Sequence, residues 1–270
     1  MVACRPLIAP LFVPATRVDR IAKAAASGAD AIIVDLEDAV PPQDKDNARD
    51  GLATAVFDFP VPIFLRVNSR STTWFENDLD LAQNVAFSGI MLPKTECSND
   101  LEHVASRLGD EFPLVALVET AVGLANLSEI SKAKSLLQVA FGSIDYALDL
   151  NCSDNHEALT HARSEIVLRS RVADLPAPLD GVTTDFSDPT VLADDCTYAA
   201  GLGFGGKLAI HPRQIPVIQK GFSPSPETLD WARRVVEADS YAEGAAVQVD
   251  GRMIDRPIAE KARRILEAHG

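Results

Sequence analysis

The sequence predicts an α/β protein, a (β/α)8 TIM barrel followed by a C-terminal helical and hairpin lid. Three observations carry this. Eight short apolar runs alternate with helix-patterned stretches, as expected of parallel strands buried on both faces. Together they span about 220 residues, a typical size for eight βα units. No G-x-G-x-x-G follows the first run, so the rival open, doubly wound sheet lacks its nucleotide fingerprint.

The strand-like runs are Leu7 to Val13, Ala31 to Leu36, Pro62 to Val67, Gly89 to Pro93, Pro113 to Val118, Leu136 to Gly142, Leu179 to Thr184 and Lys207 to Ile210. Helical patterns lie between them: Val18 to Ser27, Asp44 to Val56, Trp74 to Phe87, Asn99 to Leu108, Leu124 to Ser131, Asn155 to Ala173 and Pro189 to Ala200. Ser187-Asp188-Pro189 offers a capping side chain and a proline suited to the first helical turn. Gly28 and Gly201 stand where helices should end with positive φ. The barrel domain is expected over residues 1–222. From Ser223-Pro224-Ser225-Pro226 onward, residues 223–270 read as a helix through Ala242, a hairpin turning at Asp250-Gly251, and a closing helix from Ile258 to Ala268. This segment is expected to be too small for an independent core, and so to pack on the barrel or on a neighbouring subunit.

Composition narrows the function. Of 270 residues, 47% are apolar and 24% charged, with a net charge of −14, an ordinary globular balance. So acidic a surface repels nucleic acid and anionic lipid and suits divalent cations. No run approaches a membrane span. The four cysteines, Cys4, Cys97, Cys152 and Cys196, are scattered. With no secretory signal pattern at the N-terminus, a reducing cytoplasm is expected.

Barrel enzymes carry their reacting groups at the C-terminal ends of the strands. Read in order, those ends give Arg17; Asp35, Glu37 and Asp38; Arg66 and Asn68; Lys94; Glu119; Asp145; Thr184 and Asp185; and His211. Charge gathered at one rim is the strongest signal in the chain. Glu119 and Asp145 follow adjacent strands, and two carboxylates with water and substrate oxygens commonly hold Mg²⁺. Otherwise each caps a helix or pairs with a base. Arg66 offers a planar fork to a carboxylate or enolate, or else neutralises Glu37 or Glu119. Asp35, Glu37 and Asp38 require a compensating metal, Arg66 or proton nearby. Glu37 could orient metal-bound water, and Asp35 could equally be a buried structural acid. Arg17, Arg20 and Lys23 share a helix-start face, suited to ligand phosphates or simply to solvent. His211, Trp74 and Trp231 read as structural.

These residues resemble the citrate lyase beta-subunit branch of the HpcH/HpaI aldolase superfamily. The matching blocks are Phe12-Val13-Pro14, Asp35-Leu36-Glu37-Asp38-Ala39-Val40-Pro41, Leu65-Arg66-Val67-Asn68, Met91-Leu92-Pro93-Lys94, Val118-Glu119-Thr120, Phe141 to Tyr146, Ala209 to Gln214 and Gly251 to Pro257. The resemblance implies a (β/α)8 barrel, trimeric or hexameric, with Mg²⁺ (or Mn²⁺ as a substitute) on Glu119 and Asp145. It assigns Arg66 to substrate or enolate stabilisation and Asp255, on the lid, to acid catalysis in a neighbouring subunit. Arg17, Arg20, Lys23 and Lys94 would contact substrate or coenzyme A. Ala15-Thr16 replace the family's usual glycine, which alters the backbone approach to ligand. Asp38 stands where the free 2-keto-acid aldolases carry histidine, which favours the acyl-thioester lyases. The implied reaction cleaves a malyl- or citramalyl-type 3-hydroxyacyl-coenzyme A to acetyl-coenzyme A and a 2-oxo acid, with Glu37 among the catalytic carboxylates. The competing readings are a citryl-thioester lyase subunit of a larger complex and a silent coenzyme A-binding barrel.

Overall fold

The computed structural model describes residues 5–241 and 247–267. Cys4, Ala242 and Ala268 fall outside them. Eight parallel strands form one sheet in sequential order. They are β1 (Leu11–Pro14), β2 (Ile32–Asp35), β3 (Ile63–Arg66), β4 (Gly89–Leu92), β5 (Leu114–Val118), β6 (Leu136–Phe141), β7 (Leu179–Asp180) and β8 (Gly206–Lys207). Beyond β8, Ala209 bridges to Leu11 of β1. The Phe12 N–H donates to Ala209 O at 2.9 Å, and the Lys207 N–H donates to Ile8 O at 2.8 Å. The sheet therefore curls until its last strand meets its first.

All eight expected runs form strands, although β7 and β8 are only two residues long. The helices are α1 (Ile21–Ala25), α2 (Lys45–Ala53), α3 (Phe75–Asn84), α4 (Ser98–Leu108), α5 (Ala121–Ala125), α6 (Leu127–Ile130), α7 (Ser143–Leu150), α8 (His156–Val172), α9 (Pro189–Leu202) and α10 (Ile215–Phe222). Two helices, α7 and α10, were not expected, and the single helix expected at Leu124 to Ser131 is divided into α5 and α6. The Asp188 side chain caps α9 by accepting from the Thr190 N–H. Gly28 has φ of 89° as expected, but Gly201 lies within α9, and Gly203, with φ of 107°, ends that helix.

Strand parity places the chemistry. The inward row of the sheet is apolar and includes Ile33, Phe64, Met91, Leu117, Ala140, Leu179 and Leu208. Side chains two residues on point the same way, so Asp35, Arg66, Glu119 and Gly142 continue this row at the C-terminal rim. The opposite face of β7 and β8 carries a buried ion trio. There Asp180 accepts from Arg163 at 2.8 Å and from Lys207 at 3.0 Å. Among the described residues no helix is long and apolar enough to cross a membrane.

The chain divides into two compact units, residues 1–219 and 220–270. The second contains α11 (Pro226–Tyr241), the hairpin of β9 (Val247–Val249) and β10 (Arg252–Ile254), and α12 (Arg256–Glu267). Asp250 and Gly251 turn the hairpin with φ of 51° and 75°, the positive pair a tight two-residue turn needs. Contrary to expectation, this unit has a small core of its own. Ala232, Val235, Ile254, Ala259 and Ala262 are buried there, and Trp231 packs against them.

Candidate active site

The rim is built on one register pair. Asp35 stands opposite Arg66 across β2 and β3. The guanidinium donates from Nε to Oδ1 at 2.8 Å and from Nη2 to Oδ2 at 2.6 Å. Its third nitrogen, Nη1, faces Glu37 Oε2 at 3.2 Å and Asp38 at 3.9 Å. Arg66 thus supplies the cation that the acidic cluster required, and Asp35 is its structural partner. The Phe12 ring lies 4.8 Å from the guanidinium carbon. Burial opposes the Arg66 charge, but Asp35 outweighs it and holds the group fully protonated.

Glu119 is 1% exposed. Its Oε1 accepts the Lys94 backbone N–H at 2.9 Å, while its Oε2 lies over Gly142, where an added Cβ would come within 2.4 Å. Burial first, then the charge of Glu37 and of Asp145, pushes its carboxyl up to about 8. Asp145 reaches the same space from the first turn of α7. Arg66, Glu119 and Asp145 together line a small cavity of ≈ 70 Å³, walled by Phe12, Leu117, Phe141, Val182 and Leu208. Adjacent strands thus bring the two carboxylates to one opening.

Glu37 is buried. Desolvation raises its carboxyl's pKa, partly offset by Arg66 and Lys94. The Lys94 ammonium donates to Glu37 Oε1 at 2.7 Å, and Oε2 is buried without a hydrogen bond. Lys94 does not line this cavity, and its charge is spent on Glu37 and Glu119.

A second cavity of ≈ 360 Å³ opens between β1 and the residues after β8, and Arg20, Lys23 and His211 line it. Arg17 does not line this cavity. Its guanidinium grips Asp19 at 2.8 and 2.7 Å, because Arg17 departs from helical φ and ψ within its 3-10 turn. His211 accepts the Arg213 N–H on Nδ1 and stacks on Phe186 at 4.9 Å.

Sequence reasoning missed Lys45. Its buried ammonium donates to the carbonyls of Leu36 at 2.7 Å and Glu37 at 3.0 Å, beneath Trp74. It also missed Asp78, which fixes Asn68 through bonds to its N–H and amide, each 2.7 Å. Neither carries a sequence signal, since a charged residue inside an amphipathic helix reads as solvated. Asp255, in the second unit, caps α12 by accepting the Ile258 N–H at 3.2 Å, and its neighbour Met253 is 66% exposed.

Among the described residues no group of three or more His, Cys, Asp or Glu side chains is placed to hold a metal. The pair Glu119 and Asp145 nonetheless fits a hard divalent ion that keeps water and substrate oxygens. Among the described residues no hydrogen bond reaches Glu119 Oε2, and the acidic surroundings that disfavour its charge call for a cation.

A family model described as HpcH/HpaI aldolase/citrate lyase matches residues 9–212. A citrate lyase subunit beta-like protein of Deinococcus radiodurans is 34% identical over 95% of each chain. A (3S)-malyl-CoA thioesterase of Cereibacter sphaeroides is 34% identical over 97% of this chain and 94% of its own. In structure, the chain is similar to CitE from Mycobacterium tuberculosis, solved with magnesium, acetoacetate and coenzyme A. That match has a TM-score of 0.87 and 34% identity, covering 98% of both chains.

Proposed function

The chain belongs to the HpcH/HpaI aldolase/citrate lyase family, and from that premise we propose that it is a magnesium-dependent carbon–carbon lyase of acyl-coenzyme A. Its substrate is a malyl- or citramalyl-type 3-hydroxyacyl-coenzyme A, and its products are acetyl-coenzyme A and a 2-oxo acid. The observation that carries this is Arg66, Glu119 and Asp145 opening on one cavity beside Glu37. We read the curled sheet as a closed (β/α)8 barrel, with residues 223–270 as its lid in a cytoplasmic homotrimer or hexamer.

Glu119 and Asp145 would hold Mg²⁺, or Mn²⁺ in its place, and that ion would supply Lewis-acid polarisation of the substrate oxygens. Glu37 Oε2, which has no hydrogen-bond partner, accepts the hydroxyl proton as the carbon–carbon bond breaks. Charge then develops on the acetyl thioester enolate, and Arg66, which lines the cavity, offsets it. A fixed donor of this kind is commonly a large term in catalysis. Asp255 returns a proton to the enolate carbon. Arg20 and Lys23 meet the coenzyme phosphates at the larger cavity.

Hydrolysis is the second reading, favoured by the relatives named (3S)-malyl-CoA thioesterase. Malyl-, citramalyl- and citryl-coenzyme A, each incubated with Mg²⁺, separate the two. Equal amounts of acetyl-coenzyme A and a 2-oxo acid mean a lyase, whereas free coenzyme A with the carbon skeleton of the hydroxy acid intact means a hydrolase. Turnover of citryl thioester alone, in a complex with a carrier protein, would instead make the chain a citrate lyase subunit.

Asp255→Asn isolates the acid, because asparagine caps a helix as well as aspartate does. This variant should keep its melting temperature and Mg²⁺ binding while losing turnover by about 10²-fold, the usual scale for lost acid–base help. Unchanged kinetics would leave Asp255 as a helix cap only.

A further inference from the structure

Lys94 has φ of 47°, the left-handed region that side chains other than glycine, asparagine and aspartate seldom occupy. Such a conformation is unfavourable and persists where surrounding contacts over-determine it. Two contacts do so here. The backbone N–H donates to Glu119 Oε1 at 2.9 Å, and the ammonium donates to Glu37 Oε1 at 2.7 Å. The ammonium also stands 3.7 Å from Glu119 Oε1. One residue therefore occupies one oxygen on each of two carboxylates that follow different strands.

The complementary oxygens are the ones left for chemistry. Glu37 Oε2 is buried with no hydrogen bond, and Glu119 Oε2 rests over Gly142, whose missing side chain makes room for it. Arg66 cannot sort both acids, because its Nε and Nη2 are committed to Asp35 and only Nη1, 3.2 Å from Glu37 Oε2, is left.

We propose that Lys94 is a positioning residue that sorts the two acids, its backbone N–H setting Glu119 toward the cation and its ammonium setting Glu37 as the base. Resting on the function proposed above, this assigns Lys94 no contact with substrate or coenzyme. The left-handed turn is what lets both donors of one residue act at once.

Lys94→Gly separates the two arms, since glycine adopts positive φ freely and keeps the N–H. Binding of Mg²⁺ alone, followed by titration calorimetry, should stay within about threefold of wild type. The kcat should fall at least about tenfold, with KM for the thioester changed less than threefold, because a misplaced base costs rate rather than affinity. Lys94→Arg should restore part of the rate. In a double-mutant cycle with Glu37→Gln, the second substitution should add little to the first, as expected when one residue acts through the other. A KM raised more than tenfold with kcat retained would make Lys94 a substrate ligand and overturn the proposal. Additive losses in the cycle, or Mg²⁺ affinity lost in Lys94→Gly, would also overturn it. If Glu119→Gln left Mg²⁺ binding intact, the function reading itself would fail, whatever Lys94 did.

Discussion

Glu119→Ala should reduce magnesium-dependent turnover by about 10³-fold or more, the scale of several kcal/mol of lost charge stabilisation, while the sheet stays folded. The side chain ends an inward row and touches Lys94, Gly142 and the cavity. Removing it opens space without stranding a buried cation, because Lys94 keeps Glu37. Asp145→Ala should follow the same pattern from the other side of the cavity. Steady-state rates over a magnesium titration, with thermal melts alongside, check both. Near-normal activity of either variant at limiting Mg²⁺ would sink the two-carboxylate site. The wild type adds a signature in pH. Burial and the neighbouring acids push the Glu119 carboxyl to about 8 without a cation, so below that pH an incoming ion must displace a proton. Affinity for Mg²⁺ should therefore rise with pH, by at most about tenfold per unit, and level off above 8.

Arg66→Lys should lose about 10²–10³-fold in kcat, the range for removing one fixed donor to a developing anion. A lysine ammonium cannot grip both Asp35 oxygens and still present a third nitrogen to Glu37 at the cavity's edge. The damage also spreads through Asp35, whose Oδ1 accepts the Glu37 N–H at 2.8 Å and whose Oδ2 accepts the Ala39 N–H at 3.2 Å. Loosening that fork frees the loop that carries Glu37. Stopped-flow or steady-state kinetics at saturating Mg²⁺ decide the matter. Kinetics like those of the wild type would demote the guanidinium to a structural partner of Asp35.

The strands were legible because most lie in near-continuous apolar runs, and parity along those runs already places Glu119 and Arg66 on the inward face. Register was not legible. That Asp35 and Arg66 stand side by side depends on how β2 and β3 align, which no local pattern reveals. The start of α7 was hidden because Phe141-Gly142-Ser143-Ile144 prolongs an apolar run, and no side chain caps the helix. In Gly201-Leu202-Gly203 either glycine could end α9, and it is the second that takes the left-handed cap and bonds back to Ala199 and Ala200. Arg17 looked like a phosphate contact on helical spacing, but its non-helical turn lets it meet Asp19 two residues on. Lys94 was legible as a rim residue but not in its role, because a left-handed lysine leaves no trace in sequence.

Formation of a carbon–carbon bond tests the lyase reading most directly. Acetyl-coenzyme A is mixed with glyoxylate, pyruvate or oxaloacetate, with and without Mg²⁺, and the thioesters are weighed by mass spectrometry. A lyase run in reverse must join the two carbon skeletons. A 3-hydroxyacyl-coenzyme A should form with glyoxylate or pyruvate, require Mg²⁺, and vanish in Glu119→Ala. Release of coenzyme A from malyl-coenzyme A, with no adduct formed from any of the three oxo acids, would contradict it.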